Sequence, residues 1–562
     1  MPQKKRKQQS FEYGAIILLC STILVKIIGA IFKIPLSNLI GDLGFGYFSS
    51  AYDLFAPIYT LAMAGLPIAV SRVVAENITK NRYRDVRQSL KITKRIFMVT
   101  GLTAFIIMLL LIYPFVKLTD ETGKTIYSLF AIAPALFFCC ITSAYRGYFE
   151  GLRNMYPTAV SDVIESMGKL VLGLGFAYVA MRVTDGNVAI ASAAAMLGIT
   201  VGGMAAALYL HLRYKIKGDG ITAEEIENSP EASPIRPAAK ALIFIAIPIV
   251  LSSLANSVAS LVDVSMVKWQ LSNLMETSSE VIKDMYSSSI ADYNLLHDKL
   301  TDSAIPTFLY GVRGKAFTIY NLVPTITSVL GVSALPVLAT AWTQKDTSLI
   351  KRNIESTMKL TAIIAMPAGM GFLFLGKGIM ALMYDTVASV EIGAPMMMIY
   401  GVAALFAGMA IPMISMLQAI GKEKISLRNV AIGAVIKVVI NFIFVGIPTI
   451  NIKGAAIGTA ACYAFVFFAN LFSIIKFTGI VPNIFKTLVK PFISALVCGV
   501  IAYGCYEFLG GGSVKTVISI GVAAIAYFVV LIALNTFEEA DVVSLPKGEK
   551  LASLCKKLKI IR

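Results

Sequence analysis

A few polar side chains interrupt the apolar stretches of this sequence, and they are where its chemistry can reside. Near the centre of a membrane helix a Lys, Asp or Glu costs roughly 2.5–3.5 kcal/mol on insertion scales, so each needs a partner, water or a ligand. Lys26 and Lys33 are two helical turns apart and share one face, with no acidic residue three or four positions from either. Unpaired lysines on one face suit an anionic ligand, each ammonium acting as a point charge on a phosphate or pyrophosphate. Glu165 and Lys169, at i and i+4, are spaced to pair with each other. Asp263 is followed by Lys268, which reads as a lysine snorkelling towards a helix end. Lys437 comes one turn before Asn441. The amides of Asn256, Asn321, Gln418 and Asn441 can hydrogen-bond sugars, and they can equally tie helices together. Lys26, Lys33, Asp53, Glu165, Lys169, Asn256, Asp263, Asn321 and Lys437 are the candidate substrate-binding residues.

Other chemistries lack their residues. The two histidines, His211 and His297, have no metal-ligand spacing around them, and no phosphate-binding Gly-rich loop is present. The cysteines at 20, 139, 140, 462, 498, 505 and 555 show no CxxC spacing and lie almost all in apolar stretches, as core fillers. The expectation is no cofactor, no metal, no catalytic residue and no enzyme, although a membrane-embedded glycan-processing enzyme stays open as a lesser alternative.

The elements that must position these residues are membrane helices. The 562 residues are 57% hydrophobic and 15% charged. A bilayer core needs about 20 apolar residues per helix. Fourteen such stretches follow, centred near residues 25, 60, 104, 136, 169, 199, 254, 328, 366, 406, 436, 465, 498 and 524. The formal charge of +17 raises the question of nucleic acid, and its distribution answers it. Lys and Arg concentrate in alternate connections and at both ends, in Lys4-Lys5-Arg6-Lys7 and in Lys556, Lys557, Lys559 and Arg562. That is a positive-inside pattern: a multi-pass plasma-membrane protein with both termini cytoplasmic, binding no nucleic acid.

The chain also nearly repeats itself after about 268 residues. Tyr52-Asp53-Leu54 is echoed by Tyr320-Asn321-Leu322, which sets Asp53 and Asn321 at matching positions. Leu66-Pro67 returns as Leu335-Pro336, and Ala189-Ile190-Ala191-Ser192 as Ala456-Ile457-Gly458-Thr459. A repeat of six spans, an even number, makes the two copies parallel, with a substrate path between them. The fold class expected is all-α integral membrane: 14 transmembrane helices in two parallel six-helix lobes plus two C-terminal helices. The first lobe covers 1–212, a Gly/Pro-rich flexible cytoplasmic linker 213–237, and the second lobe 238–480. The last two spans and a tail occupy 481–562. A polar external loop at 270–312 has helical apolar spacing and forms a helical hairpin or an extension of the seventh helix.

Three segments carry a resemblance. They are Gly65-Leu66-Pro67-Ile68-Ala69-Val70-Ser71-Arg72, Arg146-Gly147-Tyr148-Phe149-Glu150-Gly151 with Pro157-Thr158-Ala159, and Gln418 and Gly421-Lys422 with Lys453-Gly454-Ala455-Ala456-Ile457-Gly458. Together they resemble the polysaccharide-transport and stage V sporulation protein B branch of the multidrug/oligosaccharidyl-lipid/polysaccharide exporter superfamily, similar to MurJ-type lipid II flippases. The resemblance implies that an undecaprenyl-pyrophosphate-linked glycan is flipped outward by alternating access. It places Lys26 and Lys33 near the first-helix cations of MurJ-type proteins, as lysine where arginine is usual. Tyr59, Thr60 and Tyr320 stand near where that family has further arginines, a departure that leaves room for another lipid-linked glycan. The expected partners are this glycan and membrane lipids, with the transporter a monomer. The competing reading, a drug or organic-cation antiporter, would use Asp53, Glu165 and Asp263 as titrating carboxylates.

Overall fold

The computed structural model describes residues 11–63, 65–120, 122–297 and 299–536. The basic clusters at the two ends and Cys555 lie outside these residues. The described chain is helical with no strand, and helix makes up 87% of the structure. It divides into two compact units, Met1–Ser272 with Thr301–Gly311 and Asn273–Leu300 with Val312–Arg562.

Unit 1 begins with α1 (Phe11–Met63), α2 (Leu66–Thr79), α3 (Tyr83–Thr119) and α4 (Thr125–Ile132). It continues with α5 (Ala135–Gly151), α6 (Tyr156–Val183), α7 (Val188–Lys217) and the short α8 (Ala223–Glu227). Helix α9 (Ile235–Met285) belongs to unit 1 as far as Ser272. After α10 (Ser287–Leu296), α11 (Ile305–Tyr320) belongs to unit 1 as far as Gly311. Unit 2 holds α12 (Leu322–Gln344), α13 (Thr347–Met383), α14 (Ala394–Ala419) and α15 (Glu423–Val445). It ends with α16 (Lys453–Thr478), α17 (Lys490–Phe508) and α18 (Ser513–Ala533).

Twelve stretches are long and apolar enough to cross a membrane. The first, Cys20–Thr79, is 60 residues long, enough for two crossings, and contains two of the expected centres. Helix α9 brackets the expected centre at 254. Counted in this way, the spans are roughly consistent with fourteen. Outward-facing apolar side chains, such as Leu110 and Tyr113 at 70% exposure and Phe472 at 67%, form a coat that suits lipid.

The breaks follow from local chemistry. Within α1, Gly41 takes φ 67°, a left-handed conformation that costs glycine little, and two helices meet there at a kink. Asn187 caps α7 by accepting from the Ala189 and Ile190 amides, and Asp346 caps α13 by accepting from Leu349. Helices α6 and α7 pack backbone to backbone: a Cβ on Gly198 would stand 2.3 Å from the Gly173 nitrogen. Such small-residue crossings substitute for the hydrophobic drive that is absent between helices in lipid.

One expectation about the connections changes. The 213–237 stretch, expected as flexible, is fastened to the start of α3. Arg87 Nε donates to Asp219 Oδ2 at 3.1 Å, Arg84 Nε to the Ile226 carbonyl at 3.0 Å, and the Ser233 amide to Asp85 Oδ1 at 2.7 Å. Gly/Pro composition frees the backbone, and charged partners on α3 hold it. The 270–312 loop is helical for most of its length. α9 runs on to Met285 with a break at Ser278, and α10 follows, with Leu274 and Ile282 buried.

Candidate functional site

The candidate residues that the structure brings together lie in unit 1. Lys33 is half-buried on α1, its Nζ 4.9 Å from the centre of the Tyr52 ring. Lys169, from α6, stands 5.1 Å from the same ring and 5.5 Å from that of Phe32. A cation held over an aromatic face gains from the ring quadrupole, the more so away from water. Asp53 and Lys169 both lie within electrostatic reach of Lys33. Neither lysine has an ion-pair or hydrogen-bond partner among the described residues.

The expected Glu165–Lys169 pair does not form. Glu165 Oε2 lies 2.9 Å from Arg146 Nη2 on α5, and Asp162 Oδ1 lies 2.9 Å from Nη1 of the same guanidinium. Arg146 Nε also donates to Ser161 Oγ at 2.9 Å. A planar fork satisfies three acceptors at once, which a flexible ammonium one turn away does not match. The Cys139 thiol, buried on α5, points to Glu165 Oε1 at 3.9 Å. The result is a pair of carboxylates held by one arginine, beside two lysines that stand over aromatic rings.

Asp53 also faces a second group. The Tyr310 hydroxyl of α11 donates to Asp53 Oδ2 at 2.6 Å. Lys268, read from sequence as snorkelling, is fully buried: its Nζ donates to Ser50 Oγ at 2.9 Å and lies 5.7 Å from the Tyr310 ring centre. It is not near a helix end, because α9 continues to Met285. Asp120, at the end of α3, lies within its field. Burial works to raise the Asp120 carboxyl, but the Lys268 charge and hydrogen bonds from Thr122 and Thr125 outweigh it and hold it below the ordinary carboxylate value.

Other candidates stand apart. Lys26 is exposed and makes no hydrogen bond or ion pair among the described residues. Asp263 is buried in α9, and the Asn256 side chain lies outside the described residues. In unit 2, Asn321 is exposed at the start of α12. Lys437 is half-buried on α15 within electrostatic reach of Tyr463, and Asn441 packs against Gly458. Reasoning from sequence missed Arg146, Asp162, Tyr52, Tyr310 and, in unit 2, the buried Lys315. Lys315 Nζ donates to Ser389 Oγ at 3.2 Å and to Thr386 Oγ1 at 3.4 Å. Arg146 stood in a quoted motif, and its spacing of 15–19 residues from its partners crosses a helix turn that no periodicity rule covers.

Comparison with known proteins agrees with this architecture. Residues 311–443 match the MatE family. The lipid II flippase MurJ of Bacillus subtilis (strain 168) is 25% identical over 502 residues, covering 87% of this chain and 86% of that protein. Stage V sporulation protein B of the same organism is 24% identical over 554 residues, covering 96% and 98%. Among solved structures, a lipid II flippase MurJ in an inward closed conformation superposes with a TM-score of 0.62 at 14% identity, covering 92% of this chain and 98% of that one. An inward-facing multidrug resistance MATE family transporter gives 0.58 at 17% identity, covering 82% and 98%. Residues 13–301, just over half of the chain, match the polysaccharide biosynthesis protein family. The chain belongs to that family, as a multi-pass membrane transporter of the multidrug/oligosaccharidyl-lipid/polysaccharide exporter superfamily.

Proposed function

We propose that this transporter flips a lipid-linked glycan with an anionic pyrophosphate head, lipid II or a related cell-wall precursor, across the cytoplasmic membrane. Lys33 and Lys169 meet the head group. The observation that carries the reading is that both lysines face aromatic rings with no carboxylate in ion-pair contact, because Arg146 holds Glu165 and the Tyr310 hydroxyl donates to Asp53. An ammonium partly withdrawn from water without a counter-ion in contact is costly, and a pyrophosphate arriving between two of them supplies what is missing. The name of the Bacillus subtilis flippase relative supports the cargo class. The reading includes both termini in the cytoplasm, a monomer, and alternating access between the two sequence repeats. An organic-cation antiporter would need carboxylates open to its cargo, and the contact of Arg146 with both Glu165 and Asp162 argues against it.

The test is complementation in a bacterium whose essential lipid II flippase can be switched off, with variants matched for membrane abundance. Wild type should restore growth and external lipid II. Lys33→Gln and Lys169→Gln should each lower external lipid II about tenfold, on the scale of one charge-assisted contact. Lys26→Gln should stay near wild type. An abundant, correctly inserted wild type that rescues nothing makes lipid II the wrong cargo. Lysine variants that transport normally remove the cationic site.

A further inference from the structure

A second feature of unit 1 lies away from this site, where α3 changes character. From Tyr83 to Arg95 the helix carries Arg84, Asp85, Arg87, Lys91, Lys94 and Arg95, and from Ile96 to Val116 it carries no charge. Arg95 therefore marks the level at which the helix passes from water to hydrocarbon. Two cavities have Arg95 in their walls. The larger, of about 810 Å³, is lined by Ile58 of α1, Val99 and Ile107 of α3, and Val250 and Leu261 of α9, with Arg95 among its walls. The smaller, of about 310 Å³, is lined by Arg84, Arg87, Lys91 and, again, Arg95.

The basic residues of the smaller cavity divide into two kinds. Arg84 and Arg87 are committed to the 213–237 stretch through Ile226 and Asp219. Lys91 and Arg95 are exposed, one turn apart, and neither makes a hydrogen bond or ion pair among the described residues. Like charges at i and i+4 repel, so this arrangement costs the helix unless an anion lies between them. The larger cavity falls in the size range of small-molecule sites and is almost wholly apolar. An occupant must present a phosphate to two cations and a hydrocarbon chain to the neighbouring cavity.

We propose that these neighbouring cavities together bind an anionic diacyl phospholipid of the surrounding membrane. Its phosphate sits at Lys91 and Arg95 and an acyl chain runs between α1, α3 and α9. Basic pockets between transmembrane helices suit such head groups. A free phosphate would leave the larger cavity without a role. The site is separate from Lys33 and Lys169 and does not depend on the identity of the cargo.

The test is native mass spectrometry of the full chain in detergent, titrated with phosphatidylglycerol and with phosphatidylcholine of the same acyl chains. Phosphatidylglycerol should be retained over phosphatidylcholine. Lys91→Gln and Arg95→Gln should each weaken its binding about fivefold, and together about 30-fold, as expected for one basic residue each near an anionic head group. Val99→Trp, which fills the larger cavity from an exposed position, should weaken binding without touching the charges. Lys217→Gln, an exposed basic change on another helix, should not. Unchanged melting of each lipid-free variant shows that the fold is intact. The proposal falls if the double variant keeps wild-type affinity, if Lys217→Gln weakens binding equally, or if Val99→Trp has no effect. It also falls if inorganic phosphate competes as well as the lipid, or if a polyprenyl pyrophosphate binds there and the phospholipid does not.

Discussion

Replacing Arg146 with Gln should destabilise unit 1 through the charges left behind rather than through the side chain removed. The guanidinium side chain is 13% exposed, and it contacts Asp162 and Glu165 at 2.9 Å each, with side chains 24% and 25% exposed. Breaking a buried ion pair by deleting one partner costs about 3–5 kcal/mol. Because water reaches a quarter of each carboxylate, the lower end applies. We therefore expect a loss of about 3 kcal/mol, somewhat over a hundredfold in the unfolding constant. The assay is equilibrium unfolding in mixed micelles with a rising fraction of denaturing detergent. Neutralising the stranded acids with Asp162→Asn and Glu165→Gln in the Arg146→Gln background should bring stability back to within about 1 kcal/mol of wild type. If the triple variant is as unstable as Arg146→Gln alone, the carboxylates are not the source of the loss. The bond to Ser161 or the packing of the arginine stem would then carry it. A second readout follows: without Arg146, Glu165 is free to turn to Lys169 one turn away, so transport should fall further than the stability loss explains.

Tyr310→Phe should cost about 1.5–3 kcal/mol by removing the hydroxyl that donates to Asp53 at 2.6 Å, measured by the same unfolding assay. Gly198→Val should sharply lower the yield of folded protein, since its side chain would meet the Gly173 backbone at 2.3 Å, and size-exclusion profiles will read it. Asp120 gives a pH signature. Its folded carboxyl titrates below the ordinary value, so its contribution is present above about pH 3.9 and lost as pH falls through the folded value. The stability gap between wild type and Asp120→Asn should therefore be constant near neutrality and close only in acid. A gap that closes between pH 6 and 8 refutes this assignment.

The spans, their spacing and the family resemblance were legible because each rests on a local or periodic signal. Long apolar runs mark helices, and 268-residue echoes such as Tyr52 and Tyr320 need only alignment of the chain with itself. The charged site was half legible. Lys33 stood out because no acid lies within a turn of it, and it does join the group. Glu165 and Lys169 misled because the i,i+4 rule describes an isolated helix, and α5 supplies a better partner from outside it. Tyr52 and Phe32 were invisible as cation partners, since an aromatic residue in an apolar span reads as lipid-facing or core until its neighbours are known. Lys268 was misjudged because the end of α9 was set at the end of its apolar run, and the helix continues beyond it.

The thiol beside Glu165 turns the cluster into a reporter of its own exposure. Cys139 is buried, and among the described cysteines only Cys20 is exposed. The exposure of Cys20 is towards lipid, at the start of the first span, whereas Cys139 is closed off by protein, so alkylating reagents should reach Cys139 hardly at all in the conformation described here. Peptide-resolved labelling rates would then clock how often the surroundings of Arg146, Glu165 and Lys169 open, with no engineered residue and no transport assay. Added candidate cargoes can be ranked by how far each slows modification at Cys139.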